Sequence, residues 1–108
     1  MIRGRRCWQG YNLFAMALQF EWHRSKAEIN LEKHGVGFEE ARTIFGDPDE
    51  YMIRDPDHSW EEDRFISIGR SDAGRLLLVC YTQRDTVLRI ISARRPERSE
   101  VEKYRNAR

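Results

Sequence analysis

The 108-residue sequence has few of the residues that mark specialised protein classes. It has two cysteines, three prolines and three histidines, and no apolar run of membrane-spanning length. Cys7 and Cys80 lie in unrelated contexts, which favours a reduced, cytoplasmic protein over a disulfide framework. The histidines share no ligand spacing and neither cysteine belongs to a C-x-x-C pair, so the sequence predicts no metal site.

Charge of one sign is also lacking, since the net charge is +1. The distribution is uneven: residues 39–63 contain ten acids and two arginines, whereas residues 84–108 contain eight bases and four acids. Such asymmetry either steers an anionic ligand toward one face or reflects two solvated surfaces that pair with each other. Both interpretations stay open.

The length and the balance of 40% hydrophobic and 34% charged residues predict one globular domain. Residues 1–17 show no clear period and no continuous hydrophobic region, so a signal peptide is not expected. We expect them to be an N-terminal extension from a misplaced start, with the true start near Met16 and the domain spanning 18–108. A genuine N-terminal arm is the alternative.

The first half of the domain predicts a strand and two helices. Residues 18–22 alternate apolar and polar, as in a short strand. Ser25 and Glu28 form a capping-box pattern before a helix that ends near Gly35. The helix places Ala27, Leu31 and His34 on one face, and the second helix, from about residue 38, carries the apolar stripe Phe38, Ala41, Ile44 and Phe45.

The second half predicts four strands and a terminal helix. Strands are expected at 51–53 and 64–70, and a hairpin at 76–81 and 86–93. Pro96 suits the first turn of the last helix. The order β-α-α-β-β-β-β-α predicts an α+β fold, with two N-terminal helices packed on an antiparallel sheet and a C-terminal helix.

The last strand of the hairpin carries arginines among its apolar residues. Simple alternation places Val87, Arg89, Ile91 and Ala93 on one face and Leu88, Ile90, Ser92 and Arg94 on the other. Both faces would then mix apolar groups with arginine. One explanation is that helices cover one face and that an anion or a partner binds the other.

From Phe20 onward the sequence resembles the BrnT toxins of bacterial toxin–antitoxin pairs. The resemblance rests on FEWHRSKAEINLEKHGVGFEEARTIFGDP, DHSWEEDRFISIG, GRLLLVCYTQR and RIISARRPERSEVEKY, which occur in this order. It implies a compact domain similar to the RelE-type ribonucleases, and RNA cleavage that inhibits translation and arrests growth. It also implies a hetero-oligomer with a BrnA-like antitoxin, whose ribbon-helix-helix region would bind DNA and repress the shared promoter.

Metal-independent RNA cleavage needs a base for the 2′-hydroxyl, cationic donors for the phosphate and an acid for the departing 5′-oxygen. No cofactor is needed for this chemistry. His58 and Glu62 are the candidates for proton transfer. The candidate cations are Arg64, Arg84, Arg89 and Arg94, and the candidate messenger-RNA contacts are Trp60, Tyr81, Arg95 and Tyr104.

Each candidate has a structural alternative. His58 follows a turn and is equally well a solvated loop residue, while Glu62 and Arg64 suit a salt bridge. Tyr81 is favoured as a core residue. For the whole chain, the alternative is a non-catalytic module that binds a partner's carboxylates and assembles a repressor complex. A direct DNA-binding domain is less favoured, because no basic recognition helix is evident.

Overall fold

The computed structural model describes residues 18–56 and 63–107, which form five strands, three α-helices and one 3₁₀ helix. No helix in these ranges is long and apolar enough to span a membrane. The observed order confirms the predicted β-α-α-β-β-β-β-α arrangement. The elements are β1 (Gln19–Glu21), α1 (Arg24–His34), α2 (Phe38–Ala41), the 3₁₀ helix (Arg42–Gly46), β2 (Tyr51–Arg54), β3 (Arg64–Arg70), β4 (Leu76–Arg84), β5 (Val87–Arg94) and α3 (Arg98–Asn106).

The strands form one sheet in the order β1-β5-β4-β3-β2. Strands β2 to β5 are antiparallel neighbours, as predicted. The expectation of an entirely antiparallel sheet needs one correction, because β1 pairs with β5 in parallel. Hairpin connections force antiparallel pairing, whereas the long connection from β1 through the helices and three strands allows β1 to run beside β5 in the same direction.

Helix α1 begins earlier than the sequence pattern predicts. Its N-cap is His23, whose carbonyl accepts a hydrogen bond from Ala27 N at 3.0 Å. The prediction of a capping box at Ser25 and Glu28 is therefore wrong, because Ser25 already lies within the helix. The predicted end is confirmed: Gly35 has φ of 70°, a left-handed conformation that glycine adopts without strain.

The buried face of α1 centres on a polar residue, Asn30, and the predicted Leu31 is 55% exposed. Asn30 Nδ2 donates to Ala93 O at 2.8 Å, and Asn30 Oδ1 accepts from Ala93 N at 3.1 Å. Strand β1 pairs with β5 only as far as Arg89, so further along this edge the amide of Asn30 bonds both backbone groups of Ala93. Helix α1 is thus attached to the sheet by hydrogen bonds as well as by packing.

The main core lies between the helices and one face of the sheet. Phe38, Ala41, Ile44 and Phe45 are all buried there, which confirms the predicted stripe of the second helix. After Ala41 that helix continues as the 3₁₀ helix, which lies close to β3 at Gly69. A Cβ atom on Gly69 would lie 3.0 Å from both Cβ and O of Ile44, so only glycine allows this approach without displacement.

A second, smaller core lies on the opposite face of the sheet. Tyr104 of α3 packs there with Ile68 of β3 and Leu78 of β4. Helix α3 has nine residues and contacts mainly β3. Among residues 18–56 and 63–107, no helix lies over the part of this face around the β4–β5 turn, and we call that part the open face.

A β-bulge in β5 decides which side chains reach that open face. Cys80 pairs with Ser92 but the next residue, Tyr81, pairs with Ile90, which leaves Ile91 as an extra residue. The predicted alternation through β5 is therefore wrong beyond Ile90. Leu88, Ile90 and Ala93 all face the main core, and Arg89, Ser92 and Arg94 all face away from it.

Candidate functional site on the open half of the sheet

Five residues that are neighbours across the strands form what we call the arginine row: Asp55, Arg64, Thr82, Arg89 and Glu21. Asp55 N donates to Arg64 O at 2.8 Å, and the strand register pairs Arg64 with Thr82, Thr82 with Arg89 and Arg89 with Glu21. Neighbouring strands are about 4.8 Å apart, so the backbones of the two arginines are about 10 Å apart. The row places a hydroxyl between two cations, with a carboxylate beyond each.

The row lies on the sheet face opposite α1 and α2. Tyr81, Leu88 and Ile90 point into the main core, so Thr82 and Arg89 point the other way. Tyr51 packs in the small core with Tyr104, and alternation from Tyr51 places Asp55 on that same face.

Several charged residues of this region act on the thiol of Cys80. Burial raises the pKa of the Cys80 thiol, a hydrogen bond from Ser92 lowers it, and the negative charge of Asp55 raises it further. The charges of Arg94 and Arg64 lower the same pKa. Two arginines and the buried Asp55 therefore lie near this thiol, although sequence reasoning selected neither Asp55 nor Cys80.

A cleft of about 860 Å³ lies at the β4–β5 turn beside the row. Its lining includes Arg84 and Arg89 together with the acids Glu21, Asp63 and Asp85. The turn itself depends on Asp85, which has φ of 56°, a conformation that aspartate tolerates better than most residues. The cleft thus combines cations that suit a phosphate with carboxylates that oppose one.

Arg89 is available for a ligand because its ion pair is exposed. Its Nε donates to Glu21 Oε2 at 2.9 Å, and the two side chains are 57% and 48% exposed. Exposed ion pairs contribute about 0–1 kcal/mol to the stability of a protein, so Glu21 is a replaceable partner of Arg89.

Arg94 has a different environment from Arg89. It donates to both carboxylate oxygens of Glu100, at 3.0 and 2.9 Å, and to Arg95 O at 3.1 Å. Glu100 also accepts a hydrogen bond from the backbone of Glu97, which completes a capping box at the start of α3. The hydrogen bond from Arg94 is the main reason that the pKa of Glu100 is lowered. Arg94 therefore holds α3 against the sheet, while Arg95 lies exposed just before that helix.

The two tyrosine candidates are enclosed in the protein. Tyr81 is 1% exposed and its hydroxyl lies 2.8 Å from Ser67 Oγ, which donates to the buried Glu50 at 2.6 Å. Tyr104 is 2% exposed and donates to Asp47 at 2.6 Å. The pKa of Tyr104 is raised to about 12, mainly by burial and secondly by this hydrogen bond. The core interpretation of Tyr81 is confirmed, and neither ring offers a face on which a base can stack.

His58, Trp60 and Glu62 lie outside the described residues. The residues that flank them, Pro56 and Asp63, adjoin the Asp55 and Arg64 end of the arginine row. Asp63 is held there by an ion pair with Arg54 at 2.5 Å. Within residues 18–56 and 63–107, no three His, Cys, Asp or Glu side chains are grouped closely enough to hold a metal ion.

The family model described as the ribonuclease toxin, BrnT, of type II toxin–antitoxin systems matches residues 22–100. This chain belongs to the BrnT family. The 1.1 Å crystal structure of the Brucella abortus ribonuclease toxin BrnT has the same fold, with a TM-score of 0.59 over 75% of this chain and 99% of the Brucella chain, at 19% identity. No curated protein matches the sequence.

Membership of the BrnT family confirms the resemblance carried by the four sequence motifs. The chain is therefore a ribonuclease toxin of a type II toxin–antitoxin system. This class of toxin implies an antitoxin partner and an RNA substrate. The described part of the matched segment includes the whole arginine row except Glu21, which immediately precedes it.

Proposed function

We propose that the chain is a metal-independent endoribonuclease toxin that cleaves messenger RNA at the arginine row. The observation that carries this proposal is the placement of Arg64 and Arg89 on either side of Thr82, on the part of the sheet that α3 leaves open. Guanidinium groups suit phosphate because their fork of N–H donors bonds two oxygens at once.

Cleavage would proceed by attack of the RNA 2′-hydroxyl on the adjacent phosphorus. A bond forms from the 2′-oxygen to phosphorus and the bond to the 5′-oxygen breaks, which gives a 2′,3′-cyclic phosphate and a 5′-hydroxyl end. Arg64 and Arg89 would stabilise the charge that develops on the phosphate oxygens, and Thr82 would donate a further hydrogen bond. His58 and Glu62, whose segment adjoins Arg64, are proposed to take the 2′-hydroxyl proton and to protonate the 5′-oxygen.

The other candidates have supporting roles in this proposal. Arg84 at the rim of the cleft and the exposed Arg95 would contact the RNA backbone, and Trp60 would stack on a base. Arg94, Tyr81 and Tyr104 would maintain the sheet and α3 on which the row depends.

The partner in this proposal is a BrnA-like antitoxin with a ribbon-helix-helix region. It would neutralise the toxin in the cytoplasm, form a hetero-oligomer with it and repress their shared promoter, and only the antitoxin would contact DNA. The three carboxylates in the cleft favour a second candidate function, a non-catalytic module that binds a partner through mixed charges.

The test is cleavage of naked RNA by the purified chain in excess chelator. Wild type is compared with His58→Ala and Arg89→Ala, and folding is checked by circular dichroism. Cleavage that survives chelation and falls in the folded variants supports the proposal. If the wild type cleaves neither naked RNA nor messenger RNA on translating ribosomes, the second candidate replaces the first.

A further inference from the structure

We infer that Glu21 occupies Arg89 in the free protein and that a phosphate of the bound RNA displaces it. This inference rests on the proposed function. It assigns Glu21 a role in substrate binding: the carboxylate stands where a phosphate oxygen will bind, and RNA must release it to engage the second cation of the arginine row.

The ion pair between Glu21 and Arg89 differs from the two bidentate arginine–carboxylate pairs of this fold. Arg75 bonds both oxygens of Glu40, and Arg94 bonds both oxygens of Glu100, with each carboxylate no more than 22% exposed. Glu21 makes one hydrogen bond to Arg89 and is 48% exposed. A pair with one contact in water is the easier one to exchange for another anion.

The position of Glu21 also permits its release. It is the last residue of β1, a three-residue strand that pairs with β5 at the margin of the sheet. Its side chain lines the cleft at the β4–β5 turn and lies outside both hydrophobic cores. Rotation of the carboxylate away from Arg89 therefore leaves the packing of the sheet unchanged.

Phosphate can replace the single contact that Glu21 makes with Arg89. It presents oxygens in the geometry that the planar fork bonds twice, and each contact with a nucleic acid releases condensed counterions. While Glu21 holds Arg89, the charge of that arginine is balanced by the carboxylate, which also repels the RNA backbone. Glu21 thus sets the affinity of the row for RNA and its dependence on salt.

The test measures binding of a fluorescent single-stranded RNA that is 2′-O-methylated and so cannot be cleaved. Fluorescence anisotropy gives Kd for the full-length wild type, Glu21→Gln, Arg89→Gln and the double variant, over a range of salt concentrations. Glu39→Gln is the matched control, since Glu39 also forms an exposed ion pair, with Arg42 at 3.1 Å, but lies on α2 across the sheet. It changes the net charge by the same amount.

We expect Glu21→Gln to lower Kd about threefold or more beyond any effect of Glu39→Gln, with a steeper dependence on salt. In the Arg89→Gln background this extra gain should vanish. A gain equal to that of Glu39→Gln, or one that persists without Arg89, overturns the inference while leaving the proposed function standing. A folded wild type that binds no RNA also overturns the inference, and cleavage of messenger RNA on translating ribosomes then decides whether the proposed function stands.

Discussion

Arg75 donates two hydrogen bonds to the carboxylate of Glu40, from Nε at 2.9 Å and from Nη2 at 2.8 Å. The same guanidinium bonds Gly35 O at 3.0 Å, and Ser71 donates its hydroxyl to Glu40 at 2.7 Å. Glu40 therefore joins α2 to the β3–β4 turn and to the end of α1. At least one acid of the segment 39–63 thus binds groups of the protein itself.

We expect Glu40→Gln to lower the free energy of unfolding by about 1–2 kcal/mol near pH 7. The hydrogen bond from Arg75 is the main reason that the pKa of Glu40 lies below its ordinary value of 4.5. Because the folded-state pKa is the lower one, the stabilisation is complete above about pH 4.5 and is lost as the pH falls through the folded-state pKa.

Urea denaturation across this acidic range measures the effect. The difference between wild type and Glu40→Gln should narrow as the pH falls below the ordinary pKa, whereas Glu39→Gln, whose ion pair is exposed, should change stability by about 0.5 kcal/mol or less. A difference between wild type and Glu40→Gln that stays constant from neutral to acidic pH would contradict the assigned role of the carboxylate.

We expect Asn30→Ala to destabilise the fold by about 2–4 kcal/mol, because it leaves two buried backbone groups of Ala93 without their partner. Thermal or urea denaturation measures the change. Ile29→Ala is the matched control on the same helix, since Ile29 is 60% exposed. Equal effects of the two substitutions would mean that the amide contributes little.

The contrast between Asn30 and the second helix shows what the sequence could predict. The spacing of Phe38, Ala41, Ile44 and Phe45 marked a buried stripe correctly, because apolar burial follows helical periodicity. Asn30 is polar, and its contribution to stability depends on hydrogen bonds with Ala93, which lies 63 residues away in the sequence. No local pattern contains that information.

The bulge in β5 limited the prediction of the site in the same way. Arg89 and Arg94 were assigned to opposite faces because simple alternation was assumed, and the extra residue, Ile91, places them on one face. The arginines themselves were recognisable as unusual in an apolar strand. Their carboxylate partners, Glu21 and Glu100, were not, because strand order and the position of α3 decide those contacts.

The hydrogen bond from Tyr104 to Asp47 predicts an alkaline loss of stability. The pKa of Tyr104 is raised from 10 to about 12, chiefly by burial. Because the folded-state pKa is the higher one, the stabilisation is fully present below about pH 10 and is lost as the pH rises through about 12.

Tyr104→Phe should therefore lower the free energy of unfolding by about 1–2 kcal/mol near neutral pH, and above about pH 10 this free energy should fall less steeply with rising pH than that of wild type. Urea denaturation at increasing pH measures this difference, and Tyr51→Phe, at a half-buried tyrosine, is the control. If wild type and Tyr104→Phe lose stability in parallel at alkaline pH, the hydroxyl does not link α3 to Asp47 in this way.

The last prediction separates the open half of the sheet from the half that α3 covers. Arg64 and Arg70 are the first and last residues of β3 and point to the same face, with backbones about 20 Å apart. Arg64 belongs to the arginine row, whereas Arg70 donates to Gly74 O at 3.1 Å at the other end of the strand. If the row stabilises the charge on the phosphate, Arg64→Ala should lower kcat/KM for RNA cleavage about 100-fold or more, and Arg70→Ala about threefold or less. Initial rates on a defined RNA, with circular dichroism for folding, measure both. An equal loss in two folded variants would show that positive charge anywhere on this face suffices, and that the chemistry does not depend on the row.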